Sequence, residues 1–104
     1  MNADFLKKEF IEKYKTLGYE KFYKFLLVYS VKRLIILEKK ELIVPPPHLE
    51  LLDICNQFII LYRREGDKDF LEVSKIFRKV AHKIYRIMLK KNLTNKCEKF
   101  LNLV

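Results

Sequence analysis

Two apolar patterns of different kinds run along this chain. From Asp69 to Lys91, the residues Val73, Ile76, Phe77, Val80, Ala81, Ile84, Ile87 and Met88 recur at steps of three and four. Such spacing is that of a helix with one buried stripe, and it predicts a helix over 69–91, about 34 Å long. From Tyr19 to Lys40 the sequence YEKFYKFLLVYSVKRLIILEKK has neither Gly nor Pro and is apolar nearly all round. Phe22, Leu26 and Tyr29 fall on one side of a helical wheel. Leu27, Val31 and Leu34 fall on another, with Val28 and Ile35 beyond them. A helix of this kind is buried on several sides or has a partner, so the other helices are expected to pack around it as a hub.

The remaining elements follow from weaker patterns. Leu6, Phe10, Tyr14 and Leu17 mark the core stripe of a helix over 3–16, with Asn2 or Asp4 as its N-cap and Gly18 as its stop. So short a link to the hub predicts an antiparallel hairpin over 3–40. ELIVPPPH, residues 41–48, is a rigid proline connector. It reads as a spacer, since the flanking pattern of a proline-rich ligand is missing. Leu51, Leu52, Ile54, Cys55, Phe58, Ile59 and Tyr62 form the inner face of a helix over 49–64. Glu65 to Asp69 make a loop around Gly66, which closes a second hairpin over 49–91. Thr94 caps a short final helix over 95–103, with Cys97, Phe100 and Leu101 on its apolar face. The expected architecture is a single all-α domain, a four-helix bundle of two αα-hairpins plus a short C-terminal helix. A right-handed stack of hairpins is the variant.

The two hairpins align at an offset of 48 residues. FIEKYKTLGYEKF from Phe10 lies over FIILYRREGDKDF from Phe58, pairing Phe10 with Phe58, Ile11 with Ile59, Tyr14 with Tyr62, Gly18 with Gly66 and Phe22 with Phe70. Leu6 over Ile54, Val28 over Ile76 and Tyr29 over Phe77 extend the match. Internal duplication accounts for the shared turn glycine, whereas the apolar spacing alone is common to amphipathic hairpins.

Composition supports the helical reading. Half of the 104 residues are hydrophobic and 34% are charged, which suits a globular chain. Two Gly, three Pro, two Ser and two Thr leave little material for strands and turns. The acids near the N-terminus and the missing apolar run argue against a signal peptide. Lys32 and Arg33 end a charge-free stretch too short to span a membrane. The expected location is the cytoplasm, with Cys55 and Cys97 as reduced core thiols.

Charge adds the main functional signal. Lys and Arg outnumber Asp and Glu by 22 to 13, for a net +9. This balance favours an acidic partner: nucleic acid, an anionic membrane face or an acidic protein. The cations concentrate on the outer face of the helix over 69–91: Lys75, Arg78, Lys79, His82, Lys83, Arg86 and Lys90. A face of one sign repels itself unless an anion answers it. Either Glu50, Asp53 or Glu65 pairs with it internally, or it contacts phosphates. No aromatic residue interrupts the face, so stacking on single-stranded bases is not expected there. The hub's surplus apolar surface suggests self-association, with Tyr23, Leu27, Val31 and Leu34 as the seam of a homodimer. Arg33, near the opposite apolar side, requires a carboxylate or a route to solvent.

Catalytic signals are thin. Two His and two scattered Cys assemble no zinc site, and no Gly-rich phosphate loop is present. Neither a cofactor nor a small-molecule substrate is implied. His48, after the prolines, reads as a helix-entry residue. Arg78 followed by His82 is loosely similar to the ribonuclease motif of HEPN domains. Those place four to six residues between the pair where this chain has three. The sequence therefore leads to a small non-enzymatic interaction or adaptor protein, self-associating through the hub. A nucleic-acid-binding protein contacting phosphates through the basic face is the alternative, and a ribonuclease using Arg78 and His82 the weaker one.

Overall fold

A computed structural model describes residues 3–40 and 46–91. Helix α1 (Ala3–Leu6) runs into a π-helical stretch (Lys7–Ile11), followed by α2 (Glu12–Lys40), α3 (Pro47–Glu65) and α4 (Lys68–Lys90). No strand occurs among the described residues. Asp4 lies inside the first turn of α1 instead of capping it. Asn2, most of the proline connector and the expected C-terminal helix with Cys97 fall outside the described residues.

Three long helices appear where the sequence suggested four, because the first break is a corner within a continuous helical span. Gly18 interrupts α2 with φ 79° and ψ 177°. These angles lie in a region open to glycine alone. The chain folds back there. The Tyr14 and Phe22 rings meet edge-on at 5.9 Å. Lys13 Nζ stands 4.2 Å from the centre of the Phe25 ring; along an unbroken helix, residues this far apart in sequence would be separated by about 18 Å.

Helix α3 starts two residues earlier than expected. Pro46 is its N-cap and Pro47 occupies the first turn, where proline's fixed φ is already helical and its missing N–H costs nothing. The prolines thus begin the helix as well as ending the passage before it. Gly66 closes α3 in the left-handed conformation (φ 74°, ψ 6°), and its N–H donates to the Tyr62 carbonyl. Asp67 then caps α4, its carboxylate accepting from the Asp69 N–H at 2.9 Å.

The centre of the molecule is α4, not the expected hub. Val73, Ile76, Phe77, Val80, Ala81, Ile84 and Met88 are all buried. Phe77 gathers rings from three other segments: Phe10 at 5.1 Å, Phe58 at 5.7 Å and Phe22 at 6.3 Å. Helix α2 buries Phe22, Leu26 and Leu34 but leaves Val28, Tyr29, Ile35 and Ile36 exposed. A single continuous stripe can be fully enclosed by neighbours on one side. A helix that is apolar all round has more such surface than its neighbours cover. The two buried hydroxyls are satisfied locally, Ser30 by the Leu26 carbonyl and Ser74 by the Leu71 carbonyl.

Candidate functional site

The outer face of α4 follows from its inner one. Once the apolar stripe is fixed against the core, the residues between its members must face outward, and Lys75, Arg78, Lys79, His82, Lys83, Arg86 and Lys90 are all exposed. Five of them, Arg78, Lys79, His82, Lys83 and Arg86, line one open groove of about 400 Å³ together with Tyr23 of α2. No carboxylate lines this groove. A second groove of about 280 Å³, against α3, is bordered by Tyr62, Arg63, Lys75 and Arg78 and again by no acid. Arg78 therefore joins two basic depressions on either side of α4.

The three acids expected to neutralise this face are engaged elsewhere, and Glu20 contributes only a minor charge interaction with Lys79. Glu65 binds Lys7 at 2.9 Å and Glu50 binds Arg33 at 3.2 Å. Asp53 accepts from Gln57 at 3.0 Å. The Glu50 pair supplies the carboxylate that Arg33 required. Burial raises the Glu50 pKa, while the guanidinium opposes that shift. On the basic face itself, the one ion pair among the described residues is Lys75 with Glu72 at 3.7 Å, a surface contact worth little.

Spacing within either helix does not foretell the tyrosines beside these cations. The arm of α2 after Gly18 runs alongside α4 in the same direction, bringing Tyr19 next to Lys79 and Tyr23 next to Lys83. Lys79 Nζ lies 5.4 Å from the Tyr19 ring centre and Lys83 Nζ 5.8 Å from that of Tyr23. Lys83 also donates a long hydrogen bond of 3.4 Å to the Tyr23 hydroxyl. A side-chain hydrogen bond with Tyr19 raises the Lys79 pKa, with the charge interaction with Tyr19 second. The basic face thus has an aromatic border, supplied by another helix.

The expected dimer seam is distributed differently. Tyr23 borders the basic groove, Leu27 and Val31 are half-buried against the core, and Leu34 is 3% exposed. The apolar side chains that α2 turns outward are Val28, Tyr29, Ile35 and Ile36.

His48 packs against Tyr85 with ring centres 4.9 Å apart and planes tilted by 48°, and burial lowers its pKa. Cys55 is a buried free thiol whose pKa burial raises, partly offset by Arg78. No group of three metal-ligating side chains occurs among the described residues, and no helix there is long and apolar enough to cross a membrane. Comparisons of the chain with protein-family models, with curated proteins and with solved structures found no match.

Proposed function

We propose that this protein binds nucleic acid through the phosphate backbone, using the outer face of α4. The observation that carries the reading is the groove lined by Arg78, Lys79, His82, Lys83 and Arg86 without a carboxylate. Cations at successive turns of one helix stand about 6 Å apart along its axis, a ladder that follows a line of phosphates. Ammonium groups on phosphates carry no base information, so binding is independent of sequence. Direct titration with random-sequence duplex and single strand tests this. Binding tighter than about 100 μM at 50 mM salt is expected for at least one of them. If neither reaches it, the face serves an acidic protein or solvent instead. The chain acts as a binder without catalysis, so the strand is recovered intact; cleavage lost in His82→Ala would favour the ribonuclease alternative.

Self-association is the second reading, and the outward Val28, Tyr29, Ile35 and Ile36 favour it. The seam is then moved to this side of α2. Light scattering at micromolar concentration is expected to give a dimer mass that Ile35→Lys reduces to the monomer. A monomer mass for the unaltered chain removes this reading.

The four-helix architecture belongs with these proposals, Gly18 being the corner that divides the first two helices. Duplication at an offset of 48 is supported by Leu6 and Ile54, and by Phe22 and Phe70, which are buried in both copies.

A further inference from the structure

We infer that the α4 groove takes an unpaired strand, with Tyr19 and Tyr23 as stacking platforms and Lys79 and Lys83 as the phosphate contacts beside them. This rests on the phosphate-binding reading of the same face and names the form of nucleic acid it selects.

Two rows of side chains stand side by side. Tyr19 and Tyr23 are four residues apart on α2; Lys79 and Lys83 are four residues apart on α4. Each row therefore advances about 6 Å. The rows are in register, since each lysine stands beside its own tyrosine, Nζ 5.4 and 5.8 Å from the ring centre, with Lys83 Nζ 3.4 Å from the Tyr23 hydroxyl. Both rings are half-buried, packed against the core on one side and bordering solvent on the other. The core contacts hold the rings in place, so a ligand meets surfaces that are already oriented.

An exposed ammonium group that meets a tyrosine at its hydroxyl end, as Lys83 does at 3.4 Å, is weakly held. A phosphate oxygen offers it a charge-assisted hydrogen bond, which is stronger. Binding the backbone therefore moves each ammonium from the tyrosine hydroxyl to phosphate. The solvent-side surface of each half-buried ring then lies beside a nucleotide, and stacking a base on it buries that surface. Bases inside a duplex are stacked on one another and cannot present a face to these rings, whereas unpaired bases can. The 6 Å advance exceeds the 3.4 Å rise per residue of a duplex strand. Two bases must be splayed apart to use both platforms, which single strands permit. Ring faces and ammonium groups read base planes and phosphates, so strands of either sugar satisfy the site.

The test is fluorescence anisotropy with labelled 15-mers of oligothymidylate and oligouridylate and a 15-base-pair random duplex, at low salt. Both single strands are expected to bind at least about 10-fold more tightly than the duplex. Tyr19→Leu with Tyr23→Leu should lower single-strand affinity about 10-fold or more and leave duplex affinity within about 2-fold, while the two Tyr→Phe changes retain single-strand binding. Circular dichroism confirms that the variants keep their helices. Equal affinity for strand and duplex, untouched by the Leu changes, overturns the stacking inference but leaves the basic-face reading intact. A loss from the duplex as large as that from the strands also overturns it. Absence of binding to either form overturns the phosphate reading and the stacking with it.

Discussion

The two hairpins share a spacing but not a fate. At an offset of 48, Leu6 and Ile54 are both buried, as are Phe22 and Phe70. Farther along, the match in sequence leads to opposite environments. Ile76 and Phe77 are wholly buried on α4, while their counterparts Val28 and Tyr29 on α2 are 53% and 48% exposed. The turn glycines diverge as well: both have positive φ, but ψ is 6° at Gly66 and 177° at Gly18. A shared pattern fixes the turns nearest the corner, where each helix folds back on its own predecessor. Beyond that, burial depends on which other helices arrive. Rings from the π-helical stretch, α2 and α3 converge on Phe77. Nothing comparable covers the outer side of α2 among the described residues.

The largest expected effect breaks the equivalence at the pair Phe77 and Tyr29. Phe77→Ala empties the middle of the aromatic cluster and should cost about 3–5 kcal/mol. Tyr29→Ala removes an exposed ring, held by a 3.4 Å contact from Arg33, and should stay within about 0.5 kcal/mol. Urea denaturation of the two variants measures both. Similar losses would mean that the hairpins are packed alike.

A smaller effect sharpens the comparison at the corners. Apart from the adjoining chain itself, neither glycine has an atom within 4 Å of where a Cβ would stand, so backbone conformation decides the outcome. Asparagine tolerates the left-handed region that Gly66 occupies, and Gly66→Asn should cost under about 1 kcal/mol. Gly18 holds angles that asparagine does not favour, and Gly18→Asn should cost about 1–3 kcal/mol. Equal thermal stability of the two variants would indicate that the corners are interchangeable.

What the sequence revealed tracks what periodicity can carry. The α4 stripe was legible because one element's pattern suffices to separate its buried face from its basic one. That Arg33 needed a carboxylate was legible too, though not that Glu50 would provide it. The surplus apolar surface of α2 was visible, but its phase was not. The π-helical stretch Lys7–Ile11 left no signature. The tyrosine border was hidden for a deeper reason. Tyr19 meets Lys79, and Tyr23 meets Lys83, only through the register between α2 and α4. That register is set by core packing between the helices, not by spacing within either helix. The early start of α3 at Pro47 could have been read from proline's preference for the first helical turn.

The most direct test of the basic face is the salt dependence of single-strand binding by the unaltered protein and by Lys79→Glu with Lys83→Glu. With three to five phosphates neutralised, log K should fall against log salt with a slope of about −2 to −3.5. Where binding remains measurable, the double change should flatten that slope by about 1.4 or more and weaken binding equally for all sequences. Neither lysine belongs to the buried stripe, so the helical content should be unchanged. A slope and affinity that survive both charge reversals would contradict the assignment of the α4 face.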